Sequence, residues 1–202
     1  MFYDYADTGS WAEITYNANE ADFSKIKLRQ RVAVDISNRS IRTRMLGQDV
    51  SMPTALAPTG LTGMQRADGE ILAARAAAKF GVPFTLSTLS ICSIEDVAEN
   101  SVEPFWFQLY VMTDHKYSKA LINRAKKAGC SALMLTLDLQ ILGQRHKDIK
   151  NGLSIPPKFK SFSNLFDLIL KPRWCFEMLR TKRRSFRNVV GHVEGVSDIS
   201  SL

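Results

Sequence analysis

The sequence predicts an α/β fold in which short strands alternate with helices and feed a parallel sheet. Two patterns predict it. Four short apolar runs recur between residues 54 and 138, bounded by turn residues. Between them the apolar residues fall at helical spacing, and glycines close two of these helices. Strand–helix repetition of this kind is the pattern of βα units.

The first forty residues are mixed in pattern and read as helical in part. Ile41–Val50 reads as a hairpin. Thr54–Pro58 is the first expected strand. Gly69–Phe80 is Ala-rich, which favours helix, and Gly81 stops it. Pro83–Ser87 is the second strand. Ser93 followed by Asp96 forms a capping-box pattern opening a short helix from Ile94 to about Glu99. Phe105–Val111 is the third strand. Tyr117, Ala120, Leu121, Ala125 and Ala128 mark one face of the next helix, which Gly129 closes. Ala132–Asp138 is the fourth strand. From Lys147 onward the pattern dissolves into a loop, with short helical stretches expected near Leu165–Leu170 and Cys175–Leu179.

The chain has 202 residues, 45% hydrophobic and 23% charged, which excludes a mostly disordered polypeptide. Cys92, Cys130 and Cys175 are widely spaced, which argues against a disulfide framework or a structural zinc site and fits a reducing compartment. No apolar run approaches the ~20 residues of a spanning helix, and no secretory leader is visible.

The net charge of +7 is concentrated between Pro156 and Arg187, where nine basic residues face only Asp167 and Glu177. A neutral body with one basic segment implies a local anionic partner. The same segment carries Phe159, Phe162, Leu165, Phe166, Trp174 and Phe176. Aromatic and basic residues together read either as a membrane-surface element or as a long loop with a solvated basic face. Within it Lys182, Arg183 and Arg184 carry the densest charge. No nucleic-acid motif accompanies the charge.

The strands end in polar groups: Thr59 after the first, Ser87 in the second, Gln108 and Tyr110 in the third, Thr136 and Asp138 in the fourth. The carboxyl ends of parallel strands form the binding face of α/β proteins. Any one of these residues could cap a helix or satisfy a backbone group, but four strands in succession point to a polar pocket. Neither a G-x-G-x-x-G nor a P-loop pattern is present.

The runs Ser51–Gly60, Thr85–Thr88, Phe107–Tyr110, Thr136–Asp138 and Gly143–Arg145, with Tyr3–Gly9 at the start, resemble the FMN-dependent α-hydroxy acid dehydrogenase family. Leu86–Cys92 and Trp106–Tyr110 look most like its bacterial L-lactate dehydrogenases. The likeness spans roughly residues 1–155, and the motifs keep the family's order. It implies the first half of a (β/α)8 TIM barrel that binds FMN at its carboxyl face, preceded by a helical segment and a hairpin and incomplete at the C-terminus. Residues 1–146 would form the half-barrel, and 147–202 the basic, aromatic-rich loop and tail.

The resemblance also implies roles. Pro58, Thr59 and Gly60 would line the flavin through their backbone, and Ser87, Gln108 and Thr136 would hydrogen-bond its ring. Tyr5, Tyr110 and Arg145 would contact the substrate, since a guanidinium suits a carboxylate. Asp138 would orient a catalytic histidine and stabilise its imidazolium form. Leu89 stands where glycolate oxidases carry a bulky aromatic, leaving room for the methyl of lactate. The implied reaction is oxidation of L-lactate to pyruvate by hydride transfer to flavin N5. Electrons then pass to a quinone or other acceptor.

The family's catalytic histidine, its neighbouring arginine, the lysine near flavin N1 and the glycine-rich phosphate loops belong to the second half of the barrel. His115, His146 and His192 match none of them. The expectation is therefore an N-terminal part that binds FMN weakly and is inactive alone. A peripheral place on the cytoplasmic side of the inner membrane, or otherwise in the cytoplasm, and a homo-oligomer when complete are also expected. The rival reading is a non-catalytic remnant acting as a basic membrane- or partner-binding module.

Overall fold

The computed structural model describes residues 2–137, 143–153 and 169–192. They fall into two compact units, one of residues 1–41 with 141–153 and one of 42–140 with 154–202.

In the first unit, α1 (Phe2–Asp7), α2 (Ile14–Ala21) and a 3-10 turn (Asp22–Lys25) make the N-terminal segment helical in part. Helix α7 (His146–Asn151) returns to it. Asn151 Nδ2 donates to Asp4 Oδ2 at 2.6 Å, and the Trp11 N–H donates to the Gln144 carbonyl at 3.0 Å.

In the second unit, β1 (Thr43–Met45) and β2 (Gln48–Val50) form the expected hairpin. Its tip, Leu46–Gly47, has both residues at positive φ, the geometry that matches strand twist in a two-residue turn. After the short α3 (Thr62–Gln65) comes α4, Gly69–Phe80, with Gly81 in the left-handed conformation at its end. Strands β3 (Thr85–Ser87), β4 (Trp106–Tyr110) and β5 (Ala132–Thr136) form a parallel sheet in that order. Helices α5 (Ile94–Asn100) and α6 (His115–Lys127) make the connections. The Ser93–Asp96 capping box is present in full.

The first expected strand is reduced to one bridge, Leu56 to Phe84. Pro53 and Pro58 flank it and cannot donate to a ladder, and Leu56 lies on an open edge, 40% exposed. On α6 the buried seam is Tyr117, Ser118, Leu121 and Ala125, and Ala120 faces solvent. Ser118 is satisfied in place: its hydroxyl donates to the Asp114 carbonyl and accepts from the Met112 N–H.

Side chains alternate across the sheet. Leu86, Phe107 and Leu109 pack with Ile71, Ala74, Ile94, Val97, Leu121 and Ala125 in one core on the helix side. Burying each of the Leu, Ile, Val and Phe side chains is worth roughly 1.5–3 kcal/mol, and each alanine methyl about 0.8 kcal/mol. On the same side of β5, Leu133 and Leu135 are 47% and 52% exposed, so the sheet is open at this edge rather than closed into a barrel. At the opposite end from the strand termini, the hairpin meets the sheet: Trp106 Nε1 donates to Gln48 Oε1, and Gln48 Nε2 donates to Ser131 Oγ.

The basic segment is partly structural. Helix α8 spans Pro172–Arg180, beginning earlier than expected, with proline in its first turn where the missing N–H costs nothing. Trp174 Nε1 donates to the Met64 carbonyl, and Met178 is buried. Beyond it, Phe186, Asn188 and Val189 are buried in the second unit. Arg183 reaches Asp68 and Asp96, each at 3.0 Å, and Arg187 grips both oxygens of Asp96 at 2.8 Å. Arg184 donates to the Leu179 and Thr181 carbonyls. Arg183, Arg184 and Arg187 are thus committed to holding the tail. Exposed residues of this stretch include Ile169, Leu170, Lys171, Arg173, Phe176, Leu179, Arg180 and Lys182. Phe159, Phe162, Leu165, Phe166 and Leu168 lie outside the described residues.

Candidate active site

The register places Ser87 beside Gln108 and Tyr110 beside Thr136, so all four share the face opposite the helices at the carboxyl end of the sheet. Gln108 is 1% exposed, and a buried amide is costly unless its donors and acceptor are used. Its Oε1 accepts from Ser87 Oγ and from the Thr88 N–H, both at 3.2 Å. A backbone N–H can only donate, so Thr88 fixes which end of the amide is oxygen. Nε2 then donates to Thr136 Oγ1 at 2.8 Å. One polar chain therefore runs across three parallel strands.

Among the described residues, this leaves one N–H of Gln108 and the hydroxyl hydrogen of Thr136 for a ligand. The Ser87 proton goes to Gln108, and its oxygen accepts from the Leu89 N–H at 3.1 Å. Thr88, which sequence reasoning passed over, is fully buried. It ties the loop to β4 by donating to the Gln108 carbonyl and accepting from the Tyr110 N–H. The pairing of two hydroxyl residues, Ser87 and Thr88, at a strand end was the available signal.

Pro58, Thr59 and Gly60 form the loop between the Leu56 bridge and α3. The Thr59 carbonyl accepts from Thr62 Oγ1, and the Leu61 N–H donates to the Leu89 carbonyl at 3.3 Å, so the first two strand-end loops touch. Leu89 itself is half-buried.

In the first unit Tyr5 and Arg145 come together: the guanidinium lies 4.7 Å from the centre of the Tyr5 ring and donates to the Tyr5 carbonyl. Arg145 Nε also pairs with Asp148 at 2.5 Å. Asp148 was not singled out from the sequence, although its i,i+3 spacing from Arg145 was visible. These contacts occupy two of the five guanidinium N–H groups and leave the rest able to bind a carboxylate. Burial raises the Tyr5 phenol above its usual range, with Arg145 opposing.

Asp138 lies outside the described residues. His115 opens α6 and His192 sits in the tail, both exposed. His146 opens α7 in the first unit, with its ring edge-on to Trp11. Cys92, Cys130 and Cys175 are free thiols, and the described residues hold no cluster fit for a metal ion.

The sequence matches a family model described as FMN-dependent dehydrogenase over residues 1–200. It is 44% identical over 178 residues to an L-lactate dehydrogenase of Ectopseudomonas mendocina, covering 88% of this chain and 46% of that protein. An L-lactate dehydrogenase of Acinetobacter baylyi is 43% identical with the same coverage. Among solved structures, the monotopic membrane protein (S)-mandelate dehydrogenase matches with a TM-score of 0.88 and 34% identity, over 98% of this chain and 52% of that one. Mandelate oxidase with (S)-2-phenylpropionate matches with a TM-score of 0.72 and 34% identity, over 77% and 46%. The chain spans about half the length of the relatives it matches.

Proposed function

Because the chain belongs to the FMN-dependent dehydrogenase family, we propose that it is the N-terminal part of an enzyme oxidising L-lactate to pyruvate. The observation that carries this is the buried Gln108, linked to Ser87 and Thr136 across the strand ends with donors to spare. FMN, when bound, supplies the two-electron acceptor. The residues fit it: a reduced flavin gathers negative charge along its pyrimidine edge, and oriented donors stabilise that charge. Gln108 Nε2 and Thr136 Oγ1 are such donors. Ser87 and Thr88 hold Gln108 in place, and the backbone at Pro58, Thr59 and Gly60 would line the group.

Arg145 binds the substrate carboxylate, with Asp148 and the Tyr5 ring steering the guanidinium. Tyr5, in the same unit, donates a hydrogen bond to the substrate. Asp138 orients a histidine base supplied from outside residues 1–202, so the chain alone takes up FMN weakly and does not turn over. Lactate is preferred to a larger hydroxy acid on two grounds. Identity is higher to the lactate enzymes than to the mandelate enzymes, and Leu89 leaves space for a methyl group.

The basic tail supports peripheral membrane association, as the monotopic relative suggests. Among the described residues no helix is long and apolar enough to cross a membrane. Phe176 and Leu179, 59% and 73% exposed beside Arg180, are the surface contact. Electron delivery to a quinone in that membrane follows from such a location. The test is an FMN titration of wild type and Gln108→Leu. The variant is expected to lose FMN affinity about tenfold, the effect of roughly 1.4 kcal/mol; equal affinity would remove Gln108 from the site.

A further inference from the structure

Glu70, the second residue of α4, is 1% exposed. A buried carboxyl is expensive without partners, and the mechanism above gives it no role. Its Oε1 accepts two backbone N–H bonds, from Gly63 at 2.9 Å and from Ile91 at 3.0 Å. Gly63 belongs to the segment after the first strand position, and Ile91 to the loop after β3. The carboxyl therefore joins the two loops that carry Pro58–Gly60 and Ser87–Leu89.

The backbone is shaped for this convergence. A Cβ on Gly63 would stand 2.6 Å from Ile91 Cβ and 2.8 Å from Glu70 Oε2. A Cβ on Gly69 would stand 2.6 Å from the Thr62 carbonyl. These glycines are needed for close approach, not for turns. From Ile91 the link continues: the Ser90 N–H donates to the Ser87 carbonyl at 3.2 Å, and Ser87 Oγ donates to Gln108.

We propose that Glu70 is a positioning residue that fixes the spacing of the first two strand-end loops, and through them the backbone at 58–60 and the Ser87–Gln108 pair. This rests on the flavin reading above. A carboxylate suits the task because one oxygen can hold two N–H donors with charge-assisted strength. An amide oxygen in its place holds them more weakly.

The experiment uses the full chain, with Glu70→Gln and Glu70→Asp. Asp keeps the charge but is one methylene too short to reach both donors, and it serves if Gln prevents folding. Three quantities are read: amide hydrogen exchange at Gly63 and Ile91, FMN affinity by fluorescence quenching, and the visible circular dichroism of bound FMN. Glu70→Gln is expected to keep the far-ultraviolet spectrum, speed exchange at both amides about tenfold, weaken FMN about tenfold and alter the flavin dichroism. Unchanged exchange overturns the latch. Faster exchange with unaltered FMN affinity and dichroism overturns the positioning role, leaving Glu70 purely structural. A wild-type chain that takes up no FMN overturns the flavin reading and this proposal with it, whereas a wild type that binds FMN equally to the variants overturns this proposal alone.

Discussion

Replacing Asn188 by alanine tests whether the basic tail is part of the fold. The side chain is fully buried. Its Oδ1 accepts from the Ile94 N–H at 3.0 Å and from Arg124 at 3.1 Å, and its Nδ2 donates to Ser90 Oγ at 3.0 Å. Truncation leaves the buried Ile94 N–H without an acceptor, a cost of about 1–3 kcal/mol. Arg124 is less affected, because it keeps both oxygens of Glu95 and the Asn188 carbonyl. Ser90 still donates to the Cys92 carbonyl. With a small cavity added, the expected loss is about 2–4 kcal/mol. At a urea slope of about 2 kcal/mol per molar, the unfolding midpoint falls by about 1–2 M. A shift smaller than about 0.3 M would show that residues 181–190 are not folded cooperatively with the sheet. The reading of the tail as a separable basic module would then be restored.

Three further outcomes follow. Gly63→Ala forces its new methyl into Ile91 and should cost about 1–3 kcal/mol by thermal melting; an unchanged melting temperature would mean that the loops are loosely joined. Hydrogen bonds from Arg124 hold the Glu95 carboxyl down to about 2, against burial. A depressed carboxylate stabilises the fold above its unfolded value and loses that contribution as pH falls. Acid unfolding should therefore steepen between about pH 4 and 2, and Glu95→Gln should abolish this component in a pH series of urea melts. For membrane contact, Phe176→Ser with Leu179→Ser should weaken sedimentation with anionic vesicles about tenfold, and Arg183→Ser should lower stability instead. The opposite pattern would place the docking charge on Arg183.

Much of the second unit was legible because local chemistry and tertiary packing agree there. Helix α4 runs from Gly69 to Phe80 as its alanines and the closing Gly81 predict, and the Ser93 capping box sets the start of α5. Local pattern failed where long-range partners decide. The run at Thr54–Pro58 is strand-like in composition, but its prolines and open edge leave a single bridge. Ala120 fits an apolar pattern yet falls off the seam, while Ser118 is buried because Asp114 and Met112 satisfy it.

The polar line Ser87–Gln108–Thr136 could be anticipated because strand ends recur at one sheet edge. Its wiring through Thr88 could not, since that depends on strand register. Charge was the least legible feature. Arg183 and Arg187 read as free positive charge in sequence, and only folding brings Asp68 and Asp96 to them.

The most direct measurement is anaerobic titration of FMN-loaded protein with L-lactate, glycolate and mandelate, following visible flavin absorbance. It is done on residues 1–202 alone and on the same residues joined to the second half of a lactate-oxidising relative. The predicted result is a colourless flavin only in the joined protein, at the lowest concentration with L-lactate. Loss of colour in residues 1–202 alone, or a joined protein that stays yellow with all three acids, would contradict it.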